Sequence, residues 1–142
     1  MLKKIFLASD HGGYRLKELV KGFLIKKKQK VEDLGCFSLD AVDYPDYAKL
    51  LSEKLKNDSN SKGILLCGTG IGISMSANRY SHIRAALCTT VEMASKSRKH
   101  NNANVLALGG RIINDGLAMD IVDEFLKTNF EAGRHSSRVN KI

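Results

Sequence analysis

The chain has 142 residues, 43% of them hydrophobic, and a single Pro, which excludes disordered and fibrous classes and suits one domain over 1–142. Its three cysteines, Cys36, Cys67 and Cys88, are odd in number and lack CxxC spacing, so neither a disulfide framework nor a zinc site is expected. The formal net charge is +8. Its densest run, Lys26-Lys27-Lys28 with Lys30, closes an amphipathic helix, where lysine is stabilised by the helix dipole and stays solvated. No aromatic or glycine pattern of an RNA- or DNA-reading module accompanies that run, so nucleic acid is not an expected partner.

In chain order, a charged and then apolar stretch from Met1 to Ser9 is too short for a signal peptide, and Asp10-His11 follow where a cleavage site would need small residues. It reads as a first strand over 4–9 of a cytoplasmic protein, and no later run approaches the length of a membrane span. Leu16, Leu19, Val20, Phe23 and Leu24 then recur at i, i+3, i+4, i+7 and i+8, the buried stripe of a helix. A second strand is expected over 31–34, and after Pro45 the positions Tyr47, Leu50, Leu51 and Leu55 repeat the helical spacing. A third strand over 63–67 runs into a glycine-rich turn over 68–72 that opens a third helix. The fourth strand is expected over 84–88, and Thr89 or Thr90 caps a helix running toward His100. The fifth strand spans 104–108, and Asn114 or Asp115 caps a last long helix with Leu117, Ile121, Val122, Phe125 and Leu126 on its inner face. From Glu131 onward the tail is polar and basic.

Strand–helix alternation of this kind predicts an α/β fold, a flavodoxin-like or Rossmann-like three-layer sandwich around a parallel sheet, with five strands in the order 2-1-3-4-5. Ligands of such sheets bind outside the carboxyl ends of the strands where the order reverses, between strands 1 and 3. Strand 1 ends in Asp10-His11-Gly12-Gly13 and strand 3 in Cys67-Gly68-Thr69-Gly70-Ile71-Gly72, so reactive side chains converge on one crevice.

Cys67 stands out among them. A free thiol titrates near 8.5, and converging backbone amides lower that value by favouring the thiolate. Cys36 and Cys88 lack such a setting and read as structural. The loop is not a Walker A motif, since no Gly-Lys-Ser/Thr follows, and its G-x-G-x-G spelling after the third strand misses the dinucleotide fingerprint. A cysteine phosphatase would carry an arginine where this chain has Ile73. What remains is a nest of amides suited to a developing oxyanion. His100, in Arg98-Lys99-His100-Asn101-Asn102, has the titration range for acid–base work, as does His11 beside Asp10, whereas His82 reads as surface. Arg111 follows the fifth strand, and Arg134 and Arg138, four apart, share a face if helical; guanidinium forks bind phosphate bidentately.

These residues resemble the ribose-5-phosphate isomerase family of the B type, related to galactose-6-phosphate isomerase subunits. The resemblance runs through Ser9-Asp10-His11-Gly12-Gly13, Asp43-Tyr44-Pro45, the stretch from Cys67 to Ser74 with Ala77-Asn78, then Ile83-Arg84-Ala85, His100-Asn101, Asn104-Val105-Leu106-Ala107 and Gly133-Arg134-His135. It implies interconversion of ribose 5-phosphate and ribulose 5-phosphate through a cis-enediolate. By resemblance, Cys67 is the proton-abstracting thiolate, His100 opens the sugar ring and Thr69 meets the enediolate. Asp10, His11, Gly68, Thr69, Gly70, Ile71, Gly72, Asn101, Arg111, Arg134 and Arg138 would contact substrate. Some members carry a carboxylate base on the helix after the glycine loop; Met75 and Ser76 offer none, so the thiol version is implied here. No metal or other cofactor is implied. A phosphorylated sugar is the expected ligand, and a homodimer or homotetramer with a shared active site is the expected assembly, the 131–142 segment reaching a partner subunit at a two-fold interface. Two rivals stand beside this reading: a six-carbon sugar-phosphate isomerase acting on allose or galactose 6-phosphate, and a non-catalytic anion-binding module. A cysteine hydrolase, which would need Cys67 against His100, is a third.

Overall fold

The apolar runs become five parallel strands, β1 (Ile5–Ser9), β2 (Val31–Asp33), β3 (Lys62–Cys67), β4 (Ala85–Leu87) and β5 (Val105–Gly109), in a computed structural model that describes residues 3–142. Met1 and Leu2, the start of the expected N-terminal stretch, lie outside the described residues. Helices α1 (Tyr14–Lys26), α2 (Tyr44–Leu55), α3 (Ile71–Ala77), α4 (Val91–Lys99) and α5 (Asp115–Lys127) connect and follow the strands, and a 3-10 turn (Gly133–His135) leads into α6 (Ser136–Val139). No described helix is long and apolar enough to cross a membrane.

Along β1, β3 and β5 the side chains alternate between two faces, each buried. Ile5, Leu7, Ile64, Leu66, Leu106 and Leu108 pack against α1, α4 and α5, where Leu16, Val20, Leu24, Ala94, Ile121 and Phe125 are buried. Phe6, Ala8, Leu65, Val105 and Ala107 pack on the other face against Ala48, Leu51 and Leu55 of α2 and Ile73 and Ala77 of α3. Burying a side chain such as Phe125 fully contributes about 1.5–3 kcal/mol, and these two clusters are what hold the three layers together. Leu19, expected on the inner stripe of the first helix, is 41% exposed.

The strand order is β2-β1-β3-β5-β4, which corrects the expected 2-1-3-4-5. Exposure explains the exchange. All five residues of β5 are buried, so this strand needs neighbours on both sides. β4 is three residues long and half-buried throughout, as befits an edge. Alternation of elements along the chain predicts a parallel sheet but leaves such a skip open. The switch between β1 and β3 survives, with Ser9 opposite Leu66 in register.

Caps set the helix starts as expected from the residue types. Thr90, rather than Thr89, accepts from the Met93 amide at 3.1 Å, and Asn114 accepts from the Leu117 amide at 2.8 Å. At the other edge of the sheet, the Lys17 side chain of α1 is wholly buried, with Nζ donating to Asp33 at 2.6 Å and to Glu18 at 3.1 Å. Asp33 also accepts from Lys21 at 3.2 Å and from the Gly35 amide at 3.0 Å. Burial alone would raise the Asp33 carboxyl, but the hydrogen bonds from Lys17 and Gly35 outweigh it and hold the group below its ordinary range.

Candidate active site

At the carboxyl ends of β1, β3 and β5 three glycine-bearing turns meet. The Asp10 amide donates to Leu66 O at 3.2 Å, the Gly110 amide to Cys67 O at 2.9 Å and the Arg111 amide to Gly68 O at 2.9 Å. The approach is close enough that a Cβ added at Gly12 would stand 2.9 Å from the Gly68 nitrogen. This knits Asp10, His11, Cys67, Gly68 and Arg111 into one crevice. Asp10, 7% exposed, accepts from the Gly13 amide at 3.1 Å, and His11 accepts at Nδ1 from the Val42 amide at 3.2 Å, which puts the proton of the neutral ring on Nε2.

The Cys67 side chain packs with the cluster beneath α2 and α3 and is 4% exposed, but its sulfur lies at the strand end and receives the Gly70 amide at 3.1 Å. Gly70 takes φ +79, a left-handed conformation that turns this amide back onto the sulfur; a Cβ there would stand 2.5 Å from a Leu87 methyl. The Ile71 amide donates to Thr69 Oγ1 at 3.2 Å, so the hydroxyl hydrogen of the exposed Thr69 is free for another oxygen. Two of the loop's amides are therefore committed within the loop, one to sulfur and one to the threonine, a narrower nest than five residues in a row suggest. Tyr44 lies over Gly72, where a Cβ would stand 2.7 Å from the phenol ring, and so borders the loop, a position that no spacing along the chain indicates.

The remaining candidates lie elsewhere. Helix α4 leaves the carboxyl end of β4 and returns to the amino end of β5, and His100 is its C-cap. Cys67 pairs in register with Gly109, at the far end of β5 from the turn that carries His100 and Asn101. With a rise near 3.3 Å per residue, the length of the strands puts about 17 Å between the two edges. The tail joins the His100 side. The Glu131 amide donates to Lys99 O at 3.1 Å, and the rings of His100 and His135 stack with centroids 4.3 Å apart and planes 15° apart. Arg134 and Arg138 lie exposed in the 3-10 turn and α6. Within one chain, then, Asp10, His11, Cys67, Gly68, Thr69, Gly70, Ile71, Gly72 and Arg111 come together, while His100, Asn101, Arg134 and Arg138 gather at the opposite edge.

His135 and Glu131 were not legible as partners of His100. Burial pushes the His135 imidazole below its ordinary value, helped by His100 and Arg134, which favours its neutral form. His100, Glu131 and His135 each bring a ligand-type atom within 4.8 Å of the others, a grouping that could hold a metal ion and that spacing along the chain does not reveal.

The family described as Ribose/Galactose Isomerase matches residues 5–142. Ribose-5-phosphate isomerase B of Escherichia coli is 41% identical over 141 residues, covering 99% of this chain and 95% of that protein. A solved ribose 5-phosphate isomerase from Thermotoga maritima superposes with a TM-score of 0.96 at 52% identity, covering 99% of this chain and 97% of the other. The enzyme from Mycoplasma genitalium, solved with bound ribulose-5-phosphate, gives 0.95 at 46% identity over 99% of this chain and 94% of the other.

Proposed function

With this chain a member of the ribose/galactose isomerase family, we propose that it interconverts ribose 5-phosphate and ribulose 5-phosphate, with Cys67 as the base. The observation that carries this reading is the Cys67 sulfur held by the Gly70 amide at 3.1 Å, beside Asp10 and the free hydroxyl of Thr69. As a thiolate, Cys67 takes the proton from C2 of the open-chain aldose and returns it to C1, while the C2 hydroxyl becomes the ketone and the C1 carbonyl the alcohol. Charge that builds on the enediolate oxygen is met by the Thr69 hydroxyl and by the backbone of Gly68 and Gly72, an effect worth about 3 kcal/mol per donor. Ile71, 52% exposed, closes one side of the crevice. Asp10, His11 and Arg111 hold the sugar from the same chain. No metal is needed for the reaction as drawn.

Ring opening and phosphate binding then fall to His100, Asn101, Arg134 and Arg138 of a second copy. What supports a shared site is the separation of the two groups across the sheet together with an uncovered apolar rim. Met75 is 66% exposed, and Val91 and Met93 are exposed on the first turn of α4. Such a rim is costly to leave in water and suits burial against another subunit. On this reading the whole chain serves as one catalytic domain of a cytoplasmic homo-oligomer, and the 131–142 segment carries the phosphate-binding arginines across the interface.

The test is spectroscopic detection of ketose formed from ribose 5-phosphate, beside allose and galactose 6-phosphates, with a chelator present. Turnover of ribose 5-phosphate above the six-carbon sugars is the expected result. Turnover of a six-carbon sugar alone would move the assignment to that substrate, and none with any sugar would leave a binding module.

A further inference from the structure

The amino edge holds a second feature that isomerisation does not use. A cavity of about 520 Å³ opens there, lined in part by Lys62, His82, Arg84, Arg98, Asn102 and Asn104. Four cations line it: the exposed Lys56 at the end of α2, and Lys62, Arg84 and Arg98, which are partly or wholly buried. Arg98 is 7% exposed, yet its guanidinium meets only neutral oxygens, with Nε donating to Thr128 O at 3.1 Å and Nη1 to Asn102 Oδ1 at 3.0 Å and to Ala103 O. Arg84 gives Nε to Asn102 O at 2.8 Å. Among the described residues, Arg98 Nη2, both Nη atoms of Arg84 and Lys62 Nζ have no hydrogen-bond partner, and no carboxylate lies within ion-pair distance of any of the three. Asp58 also lines the cavity, but its Oδ1 is taken by the amides of Asn60 and Ser61 at 3.2 and 3.1 Å.

Cations removed from water without a carboxylate in ion-pair contact raise the free energy of the fold, and their mutual repulsion adds to it. The ammonium of Lys62 shows this: burial, then Arg98 and Lys3, push its pKa down to about 8. Burial likewise lowers Arg84 and Arg98, and Arg84 lowers Arg98 further. The free Nη pair of Arg84, the Nη2 of Arg98 and an ammonium around a polar cavity match the oxygens of a tetrahedral dianion.

We propose that this cavity is a second anion site, separate from the Cys67 crevice, which takes a phosphate group either free or at the end of a phosphate monoester. The site is tied to the turn that bears His100. Asn102, at φ +46, receives Arg84 on its carbonyl and Arg98 on its side chain, so an anion that bridges the two arginines steadies the 100–102 turn.

Residue-resolved amide NMR during titration with inorganic phosphate, and separately with glycerol phosphate, tests it without reference to catalysis. Saturable shifts at 62, 84, 98 and 102 are expected, distinct from any shifts at 10–13, 68–72, 134 or 138. Lys62→Gln and Arg84→Gln should each weaken binding at the amino edge by about tenfold, the loss of one charge-assisted bond. They should leave shifts at the crevice unchanged. Tighter binding of glycerol phosphate would identify an ester as the ligand, and equal or tighter binding of inorganic phosphate would identify the free ion. Absence of saturable shifts at those four positions, or affinity unchanged in both folded variants, would overturn the proposal.

Discussion

At the carboxyl edge, the groups that face the crevice come from two contiguous stretches, 10–13 and 67–72, joined by Arg111. The amino edge is assembled otherwise: Arg98 and His100 from the end of α4, Glu131 and His135 from the tail, Lys62 from the start of β3 and Arg84 from just before β4. The first edge is shaped by backbone, through left-handed Gly70 and amides turned onto sulfur and oxygen. The second is shaped by side chains stacked or crowded on one another. The contrast teaches that a backbone-built site announces itself as a motif, whereas a side-chain-built one appears only after folding.

Five experiments would break or sharpen this contrast. Cys67→Ala should lower isomerisation of ring and open-chain substrates by about 10²–10⁴-fold, the usual contribution of a positioned base, with sugar phosphate still bound. Residual activity above a few per cent would end the carboxyl edge's claim to the chemistry. His100→Ala should harm ring substrates more than open-chain ones, and equal losses would reject its role in ring opening. If the edges cooperate between copies, co-refolding inactive Cys67→Ala with His100→Ala chains should recover about a quarter of the parent rate, because half of the random dimers are mixed and each has one intact site; no recovery would separate the two edges. Gly70→Ala forces a side chain into a left-handed position against Leu87 and the β5 backbone, so denaturant melts should show a loss of about 1–3 kcal/mol. The smallest effect is at His135. Its depressed folded value means protonation favours the unfolded chain, so this contribution to stability is present above the ordinary histidine value near 6.5 and fades as pH falls below it. NMR titration should give His135 a midpoint under that value, and one above it would contradict the effect of its burial.

The carboxyl edge was largely readable from sequence, because Asp10-His11-Gly12-Gly13 and the Cys67 loop each end a strand and parallel sheets gather such ends. The class of fold and the capping residues were readable for the same local reasons. The position of β5 inside β4 was not, since it depends on which strand is covered on both sides, and that is a property of the packed sheet. Nor was the distance between Cys67 and His100: a helix that reverses direction between two parallel strands separates residues that a list of reactive types brings together. His135 and Glu131 escaped notice because no spacing links them to position 100. Lys62, Arg84 and Arg98 have no common pattern at all.

The clasp between Lys17 and Asp33 has a consequence for His11. Asp33 holds the Gly35 amide, Gly35 O accepts the Ser9 amide at 2.7 Å, and the loop that follows returns to meet His11 through Val42. Since Asp33 titrates below the ordinary carboxylate value near 3.9, the clasp survives mild acid and opens only as pH drops through its folded value. What gives way then is an edge strand and one loop, while β1, β3 and β5 contain no carboxylate to protonate. The anchoring of that loop at Gly35 is therefore indifferent to pH from mild acid upward, because the carboxylate that holds it is among the last groups to take up a proton.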